Sequence, residues 1–214
     1  MFNKTVLSVL TVCVLIVPQL EAGIISVTGD IQQIAAPPGS VLLDQLTSNR
    51  KMFLFEEQQG LALPGDVRVN ISSAGTYGPA PLTPADILAG TPVNTYLVHS
   101  DTRRGRNQEY DGSVTFGNPV LGVITRTGRL EDTDSFLGAP GTIYSQRVNA
   151  SGLELVDGQD WVELSADMLT VTMHLHTHGA VDEVRILESA VPEPGSFLLL
   201  GAGLMVLPLL RKRL

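Results

Sequence analysis

Between residues 23 and 190, apolar runs are short, and each is closed by Gly, Pro, Asn, Asp or Ser after about eight to fifteen residues. No helical periodicity survives beyond about two turns. A chain patterned this way has no continuous apolar stripe with which to pack helices. It can bury its apolar side chains only on pleated strands. The expected fold is all-β: an antiparallel β-sandwich, jelly-roll-like in its winding, built from about ten short strands. Ile24 to Thr28 is a β-branched run and a first strand. Met52 to Phe55 reads as a buried strand closed by Gln58-Gln59-Gly60. Val67 to Ile71 alternates apolar and polar, the period of a half-buried strand.

Val93 to Ser100 is the next strand, and residues 101–111 follow as a polar loop. Gly112 to Phe116 and Val120 to Thr125 flank Gly117-Asn118-Pro119, a hairpin signal. Leu153 to Val156 and Trp161 to Leu164 flank Asp157-Gly158-Gln159-Asp160, a second one. Met168 to Thr177 and Val181 to Leu187 form the clearest pair, turned at His178-Gly179-Ala180. Residues 128–141 read as loop. Thr83 and Pro84 suit the cap and first position of a single helical turn through Leu88.

The two ends of the chain are patterned differently. Residues 1–22 have the layout of a secretory signal peptide: Lys4, an apolar run from Thr5 to Val17, a break at Pro18, and a cleavage site after Ala22. Residues 191–214 hold a Pro-Glu-Pro triplet (Pro192, Glu193, Pro194), an uncharged apolar run over 195–210, and the basic residues Arg211, Lys212 and Arg213. The prolines keep the triplet extended and without two N–H donors. The basic end is the side retained in the cytoplasm. As a transmembrane helix the apolar run would reach only about 24 Å, against a hydrocarbon core of about 30 Å. That length suits a transient anchor better than a permanent span.

This order of triplet, apolar helix and basic end resembles the PEP-CTERM sorting signal of Gram-negative bacteria. The resemblance implies an exported protein, anchored transiently in the inner membrane and processed near the triplet by an exosortase. Its final destination is then the cell surface or the extracellular matrix, with an extracellular polysaccharide as partner. A plain tail anchor is the other reading of the same residues. A second resemblance runs over residues 92–187, on His99, Asp101, Gly112, Leu121 to Ile124, Asp134, Leu137-Gly138, Gly152-Leu153-Glu154, Asp182 and Arg185. It is to a β-rich ectodomain that recurs among PEP-CTERM proteins. It implies a fold and no activity. Ser100 and Thr102 depart from its usual pattern.

Composition narrows the function classes. Cys13, the lone cysteine, leaves with the signal peptide, so the β region of residues 23–190 rests on its core without a disulfide. The chain has 22 acidic and 14 basic residues. Glu21, Glu193, Lys4, Arg211, Lys212 and Arg213 lie in the two end segments, so the β region keeps twice as many acids as bases. Such a surface excludes nucleic acid as a partner. There is no Gly-x-Ser-x-Gly elbow and no phosphate-cradling loop, and no pair of carboxylates stands out for glycoside hydrolysis. The expected role is non-enzymatic: structural or adhesive, with a carbohydrate-binding module as the alternative class and a surface hydrolase behind it.

Three groups of side chains are candidates for binding. His174 and His176, with His178 beyond them, are spaced by two and share one face of a strand, a spacing that suits zinc. Asp182 across the turn is a further ligand candidate for them. Asp101 and Asp111 bracket an oxygen-rich loop that suits calcium, although three arginines in it oppose a cation. Glu131, Asp132 and Asp134 form a second acidic cluster. As stacking platforms for sugars, Tyr77 and Tyr110 are expected in loops, whereas Trp161, beside Val162, is expected in the core.

Overall fold

A computed structural model describes residues 23–78, 80–103, 106–145, 151–156 and 158–190. The expected signal peptide and the whole of residues 191–214, with the Pro-Glu-Pro triplet and the apolar helix, lie outside these. Among the described residues no helix is long and apolar enough to cross a membrane.

The strands in chain order are β1 Ile24–Gly29, β2 Ile31–Gln33, β3 Met52–Ala62, β4 Val67–Val69, β5 Gly75–Tyr77, β6 Ala85–Ile87, β7 Pro92–Asp101, β8 Gln108–Phe116, β9 Val120–Ile124, β10 Trp161–Leu164, β11 Thr170–Thr177 and β12 Val181–Ser189, with one helix, α1 Thr127–Leu137, after β9. They build one five-stranded sheet in the order β1-β8-β11-β10-β5 and another in the order β2-β3-β7-β12-β9. A short β4-β6 ribbon stands apart. All strand pairs are antiparallel except β2 with β3. The molecule is therefore mostly β, as its patterning demands. Its strand order does not by itself make a jelly roll.

Period two does the sorting. Along β11, Val171, Met173, Leu175 and Thr177 are buried while the residues between them are not. They meet Tyr110, Val114, Phe116, Val162 and Leu164 from the same sheet, and Met52, Leu54, Tyr96, Val98, Val184 and Ile186 from the other. The two sheets thus face each other across one shared core. Gly112 sits where a Cβ would come within 2.6 Å of Ile31, so only glycine lets that edge close.

The second sheet is buried on both faces. Nearly every residue of β7 and β12 is inaccessible. Their outward residues, with Phe55, pack under Val41, Val67, Val69, Leu130 and Leu137 in a second cluster beneath α1 and the β4-β6 ribbon.

Several local expectations are corrected. Residues 128–141 are not loop, because α1 occupies most of them. Its N-cap makes no side-chain hydrogen bond, its first turn has no acid, and only Leu130, Thr133 and Leu137 are buried. Nothing local marks this helix, and the second cluster holds it. The helical turn at Thr83 to Leu88 is instead β6, paired to β4. None of the three hairpins forms. β8 pairs with β1 and β11, whereas β9 pairs with β12 in the other sheet. β11 and β12 likewise belong to different sheets. Leu153 to Val156 form no strand, and β10 pairs with β11 and β5. A Gly- or Asn-rich turn reverses the chain, but whether it closes a hairpin or arches between sheets depends on distant partners.

Candidate functional site

The outer face of the first sheet carries the ordered polar and aromatic surface. Its side chains come from the positions that alternate with the core. Asp111, His174 and Trp161 stand in one cross-strand row over β8, β11 and β10. His174 Nδ1 lies 2.8 Å from Asp111 Oδ1. The rings of Trp161 and His174 are stacked, 6.0 Å between centroids and 8° between planes. The next row outward is Thr28, Ser113, Thr172, Glu163 and Thr76. Hydroxyls on this face bond one another: Thr28 with Ser113 at 2.7 Å, and Thr115 with Thr170 at 3.1 Å. The chemistry is a half-buried aromatic plane set beside a carboxylate, an imidazole and rows of hydroxyls. Such a surface can stack an apolar ring face and hydrogen-bond its rim.

Trp161 therefore corrects its expected place in the core. In β10 it is Val162 and Leu164 that turn inward. Tyr77 and Tyr110 are corrected in the opposite sense. They lie on strands and are only 4% and 1% exposed. The Tyr77 hydroxyl donates to Ser73 O at 2.8 Å, and that of Tyr110 donates to Ser48 O at 2.5 Å. Burial pushes the Tyr110 phenol up to about 12. Neither ring is available as a platform, because a strand with alternate residues in the core claims every second aromatic.

His174 and His176 do share the outer face of β11, as their spacing requires, and His178 is exposed beyond its end. They do not gather as ligands. His174 is engaged by Asp111, and His176 stands opposite Glu109. Asp101 and Asp111 are not partners in one loop. β7 carries Asp101 into the interior, where its Oδ2 accepts the Asp44 N–H at 2.6 Å. Burial raises its pKa. Asp111 is exposed on the other sheet. Among the described residues, the only three acidic or histidine side chains whose ligand atoms lie within 4.8 Å of one another are Glu154, Asp160 and Asp182.

The second acidic cluster also resolves differently. Asp134 turns to Arg185 Nη2 at 2.8 Å and is part of a buried hub. Arg185 is fully buried and donates to Glu57 through Nε at 2.7 Å and Nη2 at 2.8 Å. Its Nη1 donates to Leu130 O at 3.0 Å and Thr133 Oγ1 at 2.8 Å. The Tyr144 ring lies 5.5 Å from the guanidinium, and its hydroxyl donates to Glu57. Burial opposes the Arg185 charge, but Glu57 and Asp134 outweigh it and raise the pKa. Burial likewise pushes Asp134 up to about 6, against the pull of Arg185. Two carboxylates share one cation here. This hub binds α1 to the second sheet and has no open face for a ligand.

Sequence reasoning missed the hub and the acidic trio. For the hub a signal existed: Arg185 stands between Val184 and Ile186, and a charge set among apolar strand residues and buried there requires a partner. For the trio none existed, because Asp182 reaches Glu154 and Asp160 only through the fold.

Residues 190–213 match the PEP-CTERM protein-sorting motif. No curated protein and no solved structure matches the chain.

Proposed function

From a chain that carries a PEP-CTERM protein-sorting motif, and whose processing by an exosortase that motif implies, we propose an exported structural or adhesive protein of an exopolysaccharide matrix. The sorting motif is the observation that carries this reading. An exosortase substrate is anchored transiently by the apolar segment of residues 195–210 and then delivered to the cell surface. The two-sheet region supports a non-enzymatic role: Arg185 with Glu57, Glu188 with Asn94, Tyr96 and Asn118, and Glu183 with His99 are buried groups engaged with one another.

The test is the C-terminus of the protein in its native host. Peptides should stop near Pro192 to Pro194, and the protein should leave the inner membrane. A variant lacking those three residues should stay there with the apolar segment attached. An unaltered protein that keeps Phe197 to Leu210 in the inner membrane would show a plain tail anchor instead.

The face around Trp161 favours a second reading, a carbohydrate-binding module. Stacking of a base on an aromatic side chain contributes about 1–3 kcal/mol by alanine substitution, and a sugar ring stacked on Trp161 would be of similar order. Trp161→Ala should lower affinity for an insoluble matrix polysaccharide about tenfold, and Phe55→Leu, on the opposite sheet, should not. Equal retention of Trp161→Ala and the unaltered protein in a pull-down would remove the module and leave the structural role.

A further inference from the structure

We propose that Glu154, Asp160 and Asp182 form a calcium site at the end of the two-sheet core, where the chain crosses from β11 to β12. Glu154 and Asp160 come from the connection before β10 and Asp182 from β12, and their ligand oxygens lie within 4.8 Å of one another. Asp160 and Asp182 are 0% and 2% exposed, and Glu154 is exposed at the mouth. Asp182 faces inward between the sheets, on the side of β12 that carries Val184 and Ile186 into the shared core. Its Oδ2 is buried and has no hydrogen-bond partner. Among the described residues, no lysine or arginine pairs with Asp160 or Asp182. The nearby Glu183 is turned to His99, 2.9 Å away.

A buried carboxylate without a counter-ion is costly, and two beside a third repel one another. Burial raises the pKa of Asp182 well above its ordinary value; a hydrogen bond from the Thr177 side chain opposes this, and Asp160, Glu154 and Glu183 add to it. For Asp160 and Asp182, which no lysine or arginine among the described residues pairs with, a proton or a cation balances the charge, and a third carboxylate beside them suits a cation. Calcium takes oxygen ligands at about 2.3–2.6 Å in irregular geometry, whereas magnesium demands near-ideal octahedral geometry at about 2.0–2.1 Å and gives up its water reluctantly.

The surroundings are already held in place. Asp160 accepts the His176 N–H at 2.7 Å through Oδ1 and the Glu154 N–H at 2.8 Å through Oδ2, which leaves lone pairs on both oxygens. The segment bearing Glu154 is clamped by Leu153 N to Thr125 O at 2.8 Å and Glu183 N to Ser151 O at 2.8 Å. Gly152 lies so close that a Cβ would come within 2.3 Å of Thr127 N. The buried Asp182 side chain, with its unpartnered Oδ2, thus stands in an acidic group whose Glu154 member is exposed. The proposal does not depend on the glycan reading.

The experiment uses the full purified chain, stripped with EDTA and dialysed, with calcium as the probe. At about 5 mM calcium and a site of about 0.1 mM affinity, Tm should rise by about 5 °C, and magnesium should give less than half of that. Terbium bound at the same place should emit by transfer from Trp161, the only tryptophan, and calcium should quench that emission by displacing it. Asp182→Asn removes the repulsion without a change of shape. It should keep or raise the metal-free Tm and lose the calcium shift, and Glu154→Gln should weaken the shift in part. A calcium shift kept by Asp182→Asn overturns the site, as does an unaltered protein with neither a shift above about 1 °C nor calcium-displaceable terbium emission. In that case a shared proton neutralises the trio.

Discussion

Arg185→Met should lower the stability of the folded chain by about 3–5 kcal/mol, the range for removing one partner of a buried ion pair. The side chain has no exposed surface, and it satisfies Glu57 through two hydrogen bonds while holding Asp134, Leu130 O and Thr133. Met fills similar space but leaves the Glu57 carboxylate buried with only the Tyr144 hydroxyl as donor among the contacts described. Arg185→Lys should recover little, because an ammonium cannot offer the guanidinium fork to two acids and two α1 acceptors at once. The double variant Arg185→Met, Glu57→Met should be more stable than Arg185→Met alone, since the orphaned carboxylate is gone. Urea unfolding at constant slope is the measurement. A loss below about 1 kcal/mol would mean that water reaches the hub and screens it as at a surface.

Phe55→Ala is the second large effect, at about 3–5 kcal/mol, the usual cost of deleting a buried aromatic ring. Phe55 is fully buried but takes no part in the core between the two sheets; it packs on the far side of the second sheet with Leu97, Leu130 and Leu137. The experiment therefore asks whether α1 and the β4-β6 ribbon belong to the cooperative unit. Trp161→Ala, on the open face of the first sheet, should cost less than about 1 kcal/mol in the same urea series. If Phe55→Ala cost as little, the covering layer would be an ornament on a two-sheet fold.

These two residues also show where patterning stops being informative. The alternation of Val171, Met173 and Leu175 with Thr172, His174 and His176 names both the strand and its inner face. A strand buried on one side needs just that alternation. β7 and β12 are buried on both sides, so their alternation is lost, and the charge of Arg185 stands on the face that a one-sided strand would turn to solvent, yet it is buried there. The second layer is invisible in β12 alone because its partners, Leu130, Thr133 and Asp134, lie on a helix that no local signal announces.

The candidate binding groups divide in the same way. His174 and His176 were legible as neighbours on one face because strand geometry is local. Asp111 as the partner of His174 was not, because it rests on the register of β8 against β11, 63 residues away in sequence. Tyr110 and Trp161 exchanged places for a related reason. A single aromatic carries no parity of its own, and a strand end shifted by one residue reverses every side chain after it.

The sequence alone determines that this chain is β-rich, that its region between residues 23 and 190 is acidic and free of cysteine, and that residues 190–213 are a sorting motif. Those properties rest on composition, period and order along the chain, and each can be read within a short window. Tertiary structure alone decides which turns arch between sheets, that residues 127–137 are helical, that Arg185 binds two acids, and that Glu154, Asp160 and Asp182 meet. Each of these depends on the balance between desolvating a group and supplying it with a partner from far along the chain. That balance exists only once the two sheets have closed.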